Sequence, residues 1–484
     1  MIAFVRDGKK TEIDFAQPQP WTPTTTVLQY LRSLPDRKGT KEGCAEGDCG
    51  ACTVVIGEAG PDGQMQYRAC DSCLIFLPML HGKELISVED LGRHDDLHPV
   101  QQAMVDCDGS QCGYCTPGFV MSMFALYKQP GEIDQAEVLD GLTGNLCRCT
   151  GYRPIIAASH KACQQRQPDQ FSAREPETAA TLAAIQATGA DLDLQTPAQR
   201  YLRPASLAQA LALRAVHPEA LMVCGGTDVG LKVTKQKQVL PLLLDLSGVP
   251  ELSHIHIGGP EEDVVIGATA PLQDVFTQVK DIFPALHAML AVFGSRQIRW
   301  RGTLGGNLAN ASPIGDTPPV LMALDADVEL QSVHGSRRMK VTDFITGYRQ
   351  TALRPDEVIA RVYIPRTPAG TTVRAYKVSK RKDLDISTVS GGFRLRLAPD
   401  GTVAEIALIY GGMAAMTSHA KAAEDFLLGK AWSRAHVEAA LPLIDASFTP
   451  ISDARSGKEG RRLMARNLLL KFWADTTTSE SLRA

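Results

Sequence analysis

The sequence predicts an α+β protein of several domains, and three observations carry that prediction. The chain has 484 residues, room for three or four domains at about 100–200 residues each. Its texture changes along the way, from short β-like segments punctuated by Gly and Asp, to a helical stretch, to mixed segments. Ten of the twelve cysteines crowd into the first third, at positions 44, 49, 52, 70, 73, 107, 112, 115, 147 and 149, leaving only Cys163 and Cys224 beyond. Hydrophobic residues make up 44% and charged residues 21%, as in ordinary globular chains. A net charge of −4 supplies no basic field for nucleic acid or an anionic membrane, so neither is expected as a partner. The N-terminal MIAFVRDGKKTEIDF is too charged for an export signal, and no run of about 18 apolar residues occurs. A soluble, cytoplasmic chain is therefore expected, where clustered cysteine reads as metal binding and not as a disulfide framework.

In order along the chain, MIAFVRDG, TEIDF, ACTVVIG and KELISVE read as strands, with a helix at Thr26–Ser33. From Pro99 the pattern turns helical through VQQAMVDC, PGFVMSMFALYKQ (Pro117 in its first turn) and QAEVLDGLTG. About Gln164 to Pro204 is rich in Ala, Gln and Thr and reads as a linker with one short helix. Beyond it, LMVCGG, LLLDLS, DVVIGA, DVELQS, VSGGFRLRLA and EIALIYGG read as strands, and HAKAAEDFLLG and Ala454–Asp475 as helices.

Two cysteine constellations carry the chemistry. GCAEGDCGAC places Cys44, Cys49 and Cys52 in C-x4-C-x2-C order, the plant-type [2Fe–2S] spacing. Three thiolates can converge from one loop only if the backbone coils tightly, and Gly43, Gly47 and Gly50 permit that. RACDSC then offers either Cys70 or Cys73 as the fourth ligand. The second constellation is Cys112-x2-Cys115 with Cys147-x-Cys149, beside predicted helix ends. By itself it suits zinc as well as a second iron–sulfur cluster. Further on, no two of the 41 glycines are spaced G-x-G, so a Rossmann fingerprint is absent. The turns at Cys224–Asp228 and Thr303–Asn307 are the glycine-rich alternatives at which bare N–H groups could meet a diphosphate.

GTKEGCAEGDCGACTV and SQCGYCTPGFVMSM…GNLCRCTGYRPI closely resemble the two iron–sulfur signatures of the xanthine dehydrogenase/aldehyde oxidase family of molybdenum hydroxylases. LMVCGGTDVGLKV and FGSRQIRWRGTLGGNLANASPIGDTPPVLMALDA are similar to the family's flavin domain. The resemblance implies a β-grasp ferredoxin-like domain at 1–90, a four-helix-bundle [2Fe–2S] domain at 91–165 and a linker at 166–198. It places a vanillyl-alcohol-oxidase-type FAD domain at 199–368 and an α+β C-terminal domain like that of CO dehydrogenase flavoproteins at 369–484. By position it assigns one cluster to Cys44, Cys49, Cys52 and Cys70, and the other to Cys112, Cys115, Cys147 and Cys149, with Gln111 at a pterin edge. FAD would be held by Leu221, Met222, Val223, Cys224, Gly225, Gly226, Thr227 and Asp228, and by Thr303, Leu304, Gly305, Gly306 and Asn307. Phe293, Asp316, Ile359 and Lys377 would complete that pocket, while Tyr348 and the charged loop through Asp385 would influence NAD.

The resemblance further implies an electron-transfer small subunit of xanthine dehydrogenase, since no molybdenum domain is found before Ala484. The expected partner is a large subunit that carries the molybdopterin cofactor, in a heterotetramer of two small and two large chains, with NAD as electron acceptor. The alternatives are the equivalent subunit of a hydroxylase of another heterocycle or an aldehyde, and, outside enzymes, a zinc scaffold or redox sensor.

Overall fold

The computed structural model describes residues 1–60 and 62–477. The chain folds as two compact units, one of residues 1–213, 217–250 and 294–302, the other of residues 214–216, 251–293 and 303 onward. Among the described residues no helix is long and apolar enough to cross a membrane.

The first unit opens with a five-stranded sheet in the order Lys9–Ile13, Ile2–Arg6, Glu84–Ile86, Thr53–Ala59, Met65–Asp71. Only the Ile2–Arg6 and Glu84–Ile86 pair is parallel. The helix Val27–Ser33 starts in a reciprocal capping box between Thr26 and Gln29. Its Val27, Tyr30 and Leu31 share a core with Ile2, Phe4, Val54 and Ile56, which is the β-grasp arrangement expected here. Four helices follow, Pro99–Asp106, Thr116–Tyr127, Gln135–Leu142 and Arg153–Gln164. The second is buried at every position from Gly118 to Tyr127, so it is apolar all round and forms the bundle's centre.

The expected linker is corrected by the structure. Asp169 caps a 20-residue helix, Gln170–Gly189, by accepting from the Ser172 N–H, and that helix buries Phe171, Leu182 and Ile185. Ala and Gln are strong helix formers, and three apolar side chains on one face suffice to dock the helix, so low-complexity text hides an ordered element. A four-stranded sheet completes this unit, ordered Leu192–Gln195, Arg200–Arg203, Leu242–Asp245, Leu221–Val223. The short segment 294–302, expected within the flavin domain, also folds into this unit. Its Arg296 and Arg299 are buried and both reach Asp140, each at 2.6 Å.

The second unit holds an antiparallel sheet ordered Ile255–Ile257, Val264–Gly267, Val358–Ile364, Asp327–Ser332, Gly335–Lys340. It also holds a four-stranded sheet ordered Thr371–Val378, Val389–Leu397, Val403–Gly411, Ser418–His419. The helices Lys421–Leu427, Arg434–Ser447 and Lys458–Thr477 cover that sheet through Phe393, Tyr410, Phe448 and Phe472.

Candidate iron–sulfur and flavin sites

The loop carrying Cys44, Cys49 and Cys52 is irregular and tightly coiled. Ala45, Gly47 and Gly50 all have positive φ, at 55°, 76° and 67°. A Cβ on Gly43 would stand 2.7 Å from the Cys49 sulfur, so the coil tolerates no side chain there. The Cys44 sulfur accepts backbone N–H groups of Glu46 and Asp48, each at 3.4 Å. A hydrogen bond from the Cys49 thiol, helped by those N–H groups and opposed by burial, pulls Cys44 down to about 5, while the same bond pushes Cys49 up. Within the loop Cys44 is thus the thiol most readily ionised, and thiolate is the form that binds metal.

The structure separates the two candidates for the fourth ligand. Cys70 lies in the strand Met65–Asp71 opposite Val54, its side chain packed in the core with Ile2, Phe4 and Ile56. Burial pushes its thiol up to about 12, and no loop cysteine contributes to that shift. Cys73 instead hydrogen-bonds Cys52, which that bond and burial hold well above the usual thiol range. The expectation of Cys70 therefore moves to Cys73. Strand alternation turns Cys70 into the core, and the tight turn Ser72–Leu74, tied to the Cys52 carbonyl by Ser72, swings Cys73 back to the loop. Beside them Asp71 is 2% exposed, and burial together with the Cys44 charge raises its carboxyl to about 7.

The second set is gathered from a loop and two helix ends. The Cys149 thiol donates to Cys112 at 3.6 Å, and Cys115 pairs with Cys147. Cys147 also meets the Thr150 hydroxyl at 3.2 Å. Cys115 stands at the N-terminus of the buried helix Thr116–Tyr127, and Gln111, Cys112 and Cys149 are exposed. Eight thiols thus stand in four sulfur–sulfur pairs, two pairs in each set. Soft thiolates, glycine-permitted coiling and backbone N–H groups aimed at sulfur fit the ligation of a [2Fe–2S] cluster.

The flavin-type residues fall in both units. In the first, the strand Leu221–Val223 leads into Cys224, Gly225, Gly226, Thr227 and Asp228, and a Cβ on Gly225 would overlap the Arg301 carbonyl oxygen at 1.6 Å. Gly226 has φ of 83° and leans on the Leu74 carbonyl. In the second unit, Thr303 caps the helix Leu304–Ala309 by accepting from the Gly306 N–H at 3.1 Å. Gly305 closes on Ala268, and Asn307 accepts from the Thr317 hydroxyl at 2.6 Å. Lys377 and Asp316 are brought together at 2.8 Å although 61 positions apart, with Ser387 donating to Asp316 and Lys377 donating to the Val292 carbonyl. Ile359 lies in the core, and Phe293 packs against it from a half-buried position. Tyr348 is 60% exposed at the tip of the hairpin Ile345–Gly347 and Gln350–Thr351. Asp385 folds back on the Arg381 N–H at 2.8 Å.

Residues that sequence reasoning passed over join the two thiol loops. Asn145, Gln297 and Tyr114 are the main ones, and the only textual signal was their position beside cysteine or within a glycine-rich motif.

Comparison with known proteins matches residues 87–160 to a [2Fe-2S] binding domain. Residues 183–367 match the FAD binding domain in molybdopterin dehydrogenase, and residues 374–476 the CO dehydrogenase flavoprotein C-terminal domain. Xanthine dehydrogenase/oxidase of Rattus norvegicus is 32% identical over 98% of this chain and 39% of its own length. Xanthine dehydrogenase of Emericella nidulans is 30% identical over 100% of this chain and 39% of its length. The chain thus spans about two-fifths of these relatives. Among solved structures, carbon monoxide dehydrogenase from Hydrogenophaga pseudoflava superposes with a TM-score of 0.54 at 28% identity, covering 57% of this chain and 96% of that one. Quinoline 2-oxidoreductase from Pseudomonas putida 86 gives 0.52 at 28% identity, covering 58% and 98%.

Proposed function

We propose that the chain, homologous to the N-terminal [2Fe–2S] and FAD region of the xanthine dehydrogenases, is a molybdenum hydroxylase component, the electron-transfer subunit of a xanthine dehydrogenase. The observation that carries the proposal is four sulfur–sulfur pairs, Cys44–Cys49, Cys52–Cys73, Cys112–Cys149 and Cys115–Cys147, which fall two by two on the two cysteine motifs. Cys44, Cys49, Cys52 and Cys73 hold one [2Fe–2S] cluster, and Cys112, Cys115, Cys147 and Cys149 hold the other. Each glycine turn is read by itself as a flavin-binding element, Leu221–Asp228 in the first unit and Thr303–Asn307 with Asp316 and Lys377 in the second. The clusters and flavin supply one- and two-electron redox chemistry when bound.

What the chain's own residues do is position and tune. Glu46 and Asp48 N–H groups neutralise charge on the Cys44 sulfur, and Thr150 does so at Cys147. The buried sheet core excludes water from Cys52 and Cys73, both 2% exposed or less. Cys112, Cys149 and Gln111 lie open, on the side where a molybdopterin-bearing partner chain would deliver electrons from hypoxanthine or xanthine. NAD is read as the final acceptor, and the exposed Tyr348 as a residue open to a nicotinamide.

A second reading, the corresponding subunit for another heterocycle, is favoured by the likeness to quinoline 2-oxidoreductase. The experiment is reconstitution with a molybdenum-bearing partner. The chain alone should oxidise NADH with an artificial acceptor and leave xanthine untouched, and the complex should turn over xanthine. Turnover of quinoline and not xanthine by that complex would transfer the assignment to the second reading. Zinc in place of iron would end both.

A further inference from the structure

The two thiol loops are locked together through one buried amide. Asn145 is 3% exposed and sits two residues before Cys147. Its side-chain nitrogen donates to the Gly50 carbonyl and to the Thr53 hydroxyl, both at 3.1 Å. Its side-chain oxygen accepts from Ser122 at 2.6 Å and from Gln297 at 3.0 Å. Both donors and both acceptor positions are therefore used, which is the full capacity of an asparagine side chain. The next residue extends the contact through the backbone, the Leu146 N–H donating to the Cys49 carbonyl at 3.0 Å. Cys49 belongs to the first thiol set and Leu146 adjoins Cys147 of the second. The covalent chain Leu146–Cys147 and one hydrogen bond thus link a ligand of each set.

The approach is close enough to demand glycine on both sides. A Cβ on Gly50 would lie 2.2 Å from the Gly144 carbonyl oxygen, one on Gly118 would lie 2.1 Å from the Gly50 carbonyl oxygen, and one on Gly144 would strike Gln297 at 2.1 Å. The Asn145 amide is fully satisfied in this buried junction while the Gln297 oxygen beside it has no partner; the four bonds to Asn145 specify one arrangement, because a slip would leave its own donors or acceptors unpaired in an apolar site. An apolar contact would join the loops with less demand for register. The network fixes the separation of two ligand loops to within a hydrogen bond.

We propose that Asn145, braced by Gln297 and Thr53, is a positioning residue for electron transfer between the two clusters, holding the Cys49 carbonyl and the Leu146 N–H together. This deepens the proposed function and rests on its two-cluster reading. The step it serves moves one electron, oxidising the cluster at Cys112, Cys115, Cys147 and Cys149 and reducing the one at Cys44, Cys49, Cys52 and Cys73. No bond is made or broken and no proton moves.

The test uses the full chain with both clusters assembled. Low-temperature electron paramagnetic resonance of the fully reduced protein reads each cluster's own g values and the splitting from spin–spin coupling between them. Pulse reduction reads the rate of equilibration between the two centres. Asn145→Leu should weaken the splitting and slow equilibration, with each cluster's g values and midpoint potential retained. Thr53→Val, which removes one acceptor of Asn145 together with the Thr53 hydroxyl's bond to the Gly50 carbonyl, should shift both readouts less and in the same direction, and Thr53→Ser should restore them. Unchanged splitting and rate in Asn145→Leu would overturn the proposal. Where Asn145→Leu fails to retain its clusters, the Thr53 pair decides: indistinguishable Val and Ser variants overturn it. A wild-type chain with a single iron centre, or with zinc, would refute the two-cluster reading and the inference with it.

Discussion

Replacing Cys73 and Cys70 one at a time separates two side chains that the sequence offers as equivalents. Cys73 hydrogen-bonds Cys52 at the edge of the thiol loop, whereas Cys70 is enclosed by Ile2, Phe4, Val54 and Ile56. In Cys73→Ala the first cluster loses one of four ligands, so iron should fall from about four to about two per chain, as two-iron clusters require. One of two paramagnetic signals should vanish, leaving that of the Cys112 set. In Cys70→Ala the loss is a buried sulfur among apolar neighbours, a cost of about 1 kcal/mol from one methylene-sized group and the small void it leaves. Iron content and both signals should stay as they are. The assays are iron and sulfide analysis, paramagnetic resonance, and urea unfolding followed by circular dichroism. Loss of the first cluster in Cys70→Ala with its retention in Cys73→Ala would refute the reasoning. It would mean that the strand register ending at Asp71 is displaced by three residues.

Three further outcomes are expected. Asp140→Asn leaves Arg296 and the fully buried Arg299 without their shared carboxylate, so urea unfolding of the first unit should show a loss of about 3 kcal/mol, the usual consequence of breaking one side of a buried ion pair. Asp169 is held well below the usual carboxylate range, the bonds from His98, the Ser172 N–H and Lys128 outweighing the opposing effect of burial. Its folded form binds fewer protons than the unfolded chain, so it contributes stability above about pH 4 that fades as pH falls further. Asp169→Asn should therefore lose on the order of 2 kcal/mol at neutral pH, and unfolding curves of variant and wild type should converge in acid. Gly225→Ala forces a Cβ onto the Arg301 carbonyl oxygen at 1.6 Å; it should cost roughly 2 kcal/mol by overpacking, and the flavin absorbance of the purified chain should drop with it.

Much of the fold and of the candidate site was legible in the text. C-x4-C-x2-C is a constraint that one loop must satisfy by itself, so its spacing survives in the sequence whatever packs around it. The helix Thr116–Tyr127 was legible for a similar reason, since ten consecutive buried residues leave an apolar run that no strand alternation imitates. The helix Gln170–Gly189 was not, because its docking depends on three apolar side chains scattered through Ala, Gln and Thr, and its partners lie elsewhere in the chain.

What the sequence by itself determined is therefore the local chemistry: the thiol sets, the glycine turns, and the family they resemble. Tertiary structure alone decided which of Cys70 and Cys73 meets the loop, because that depends on which face of a strand is buried and where the strand stops. It alone brought Asp316 to Lys377 and drew Gln297 from the flavin-like stretch into the iron–sulfur unit, where it braces Asn145. Such meetings are pairings across long sequence separations, 152 positions for Gln297 and Asn145, and hydrogen bonds of that kind leave no periodicity or spacing in the chain. They exist only once burial has made an unpaired amide too costly to leave alone.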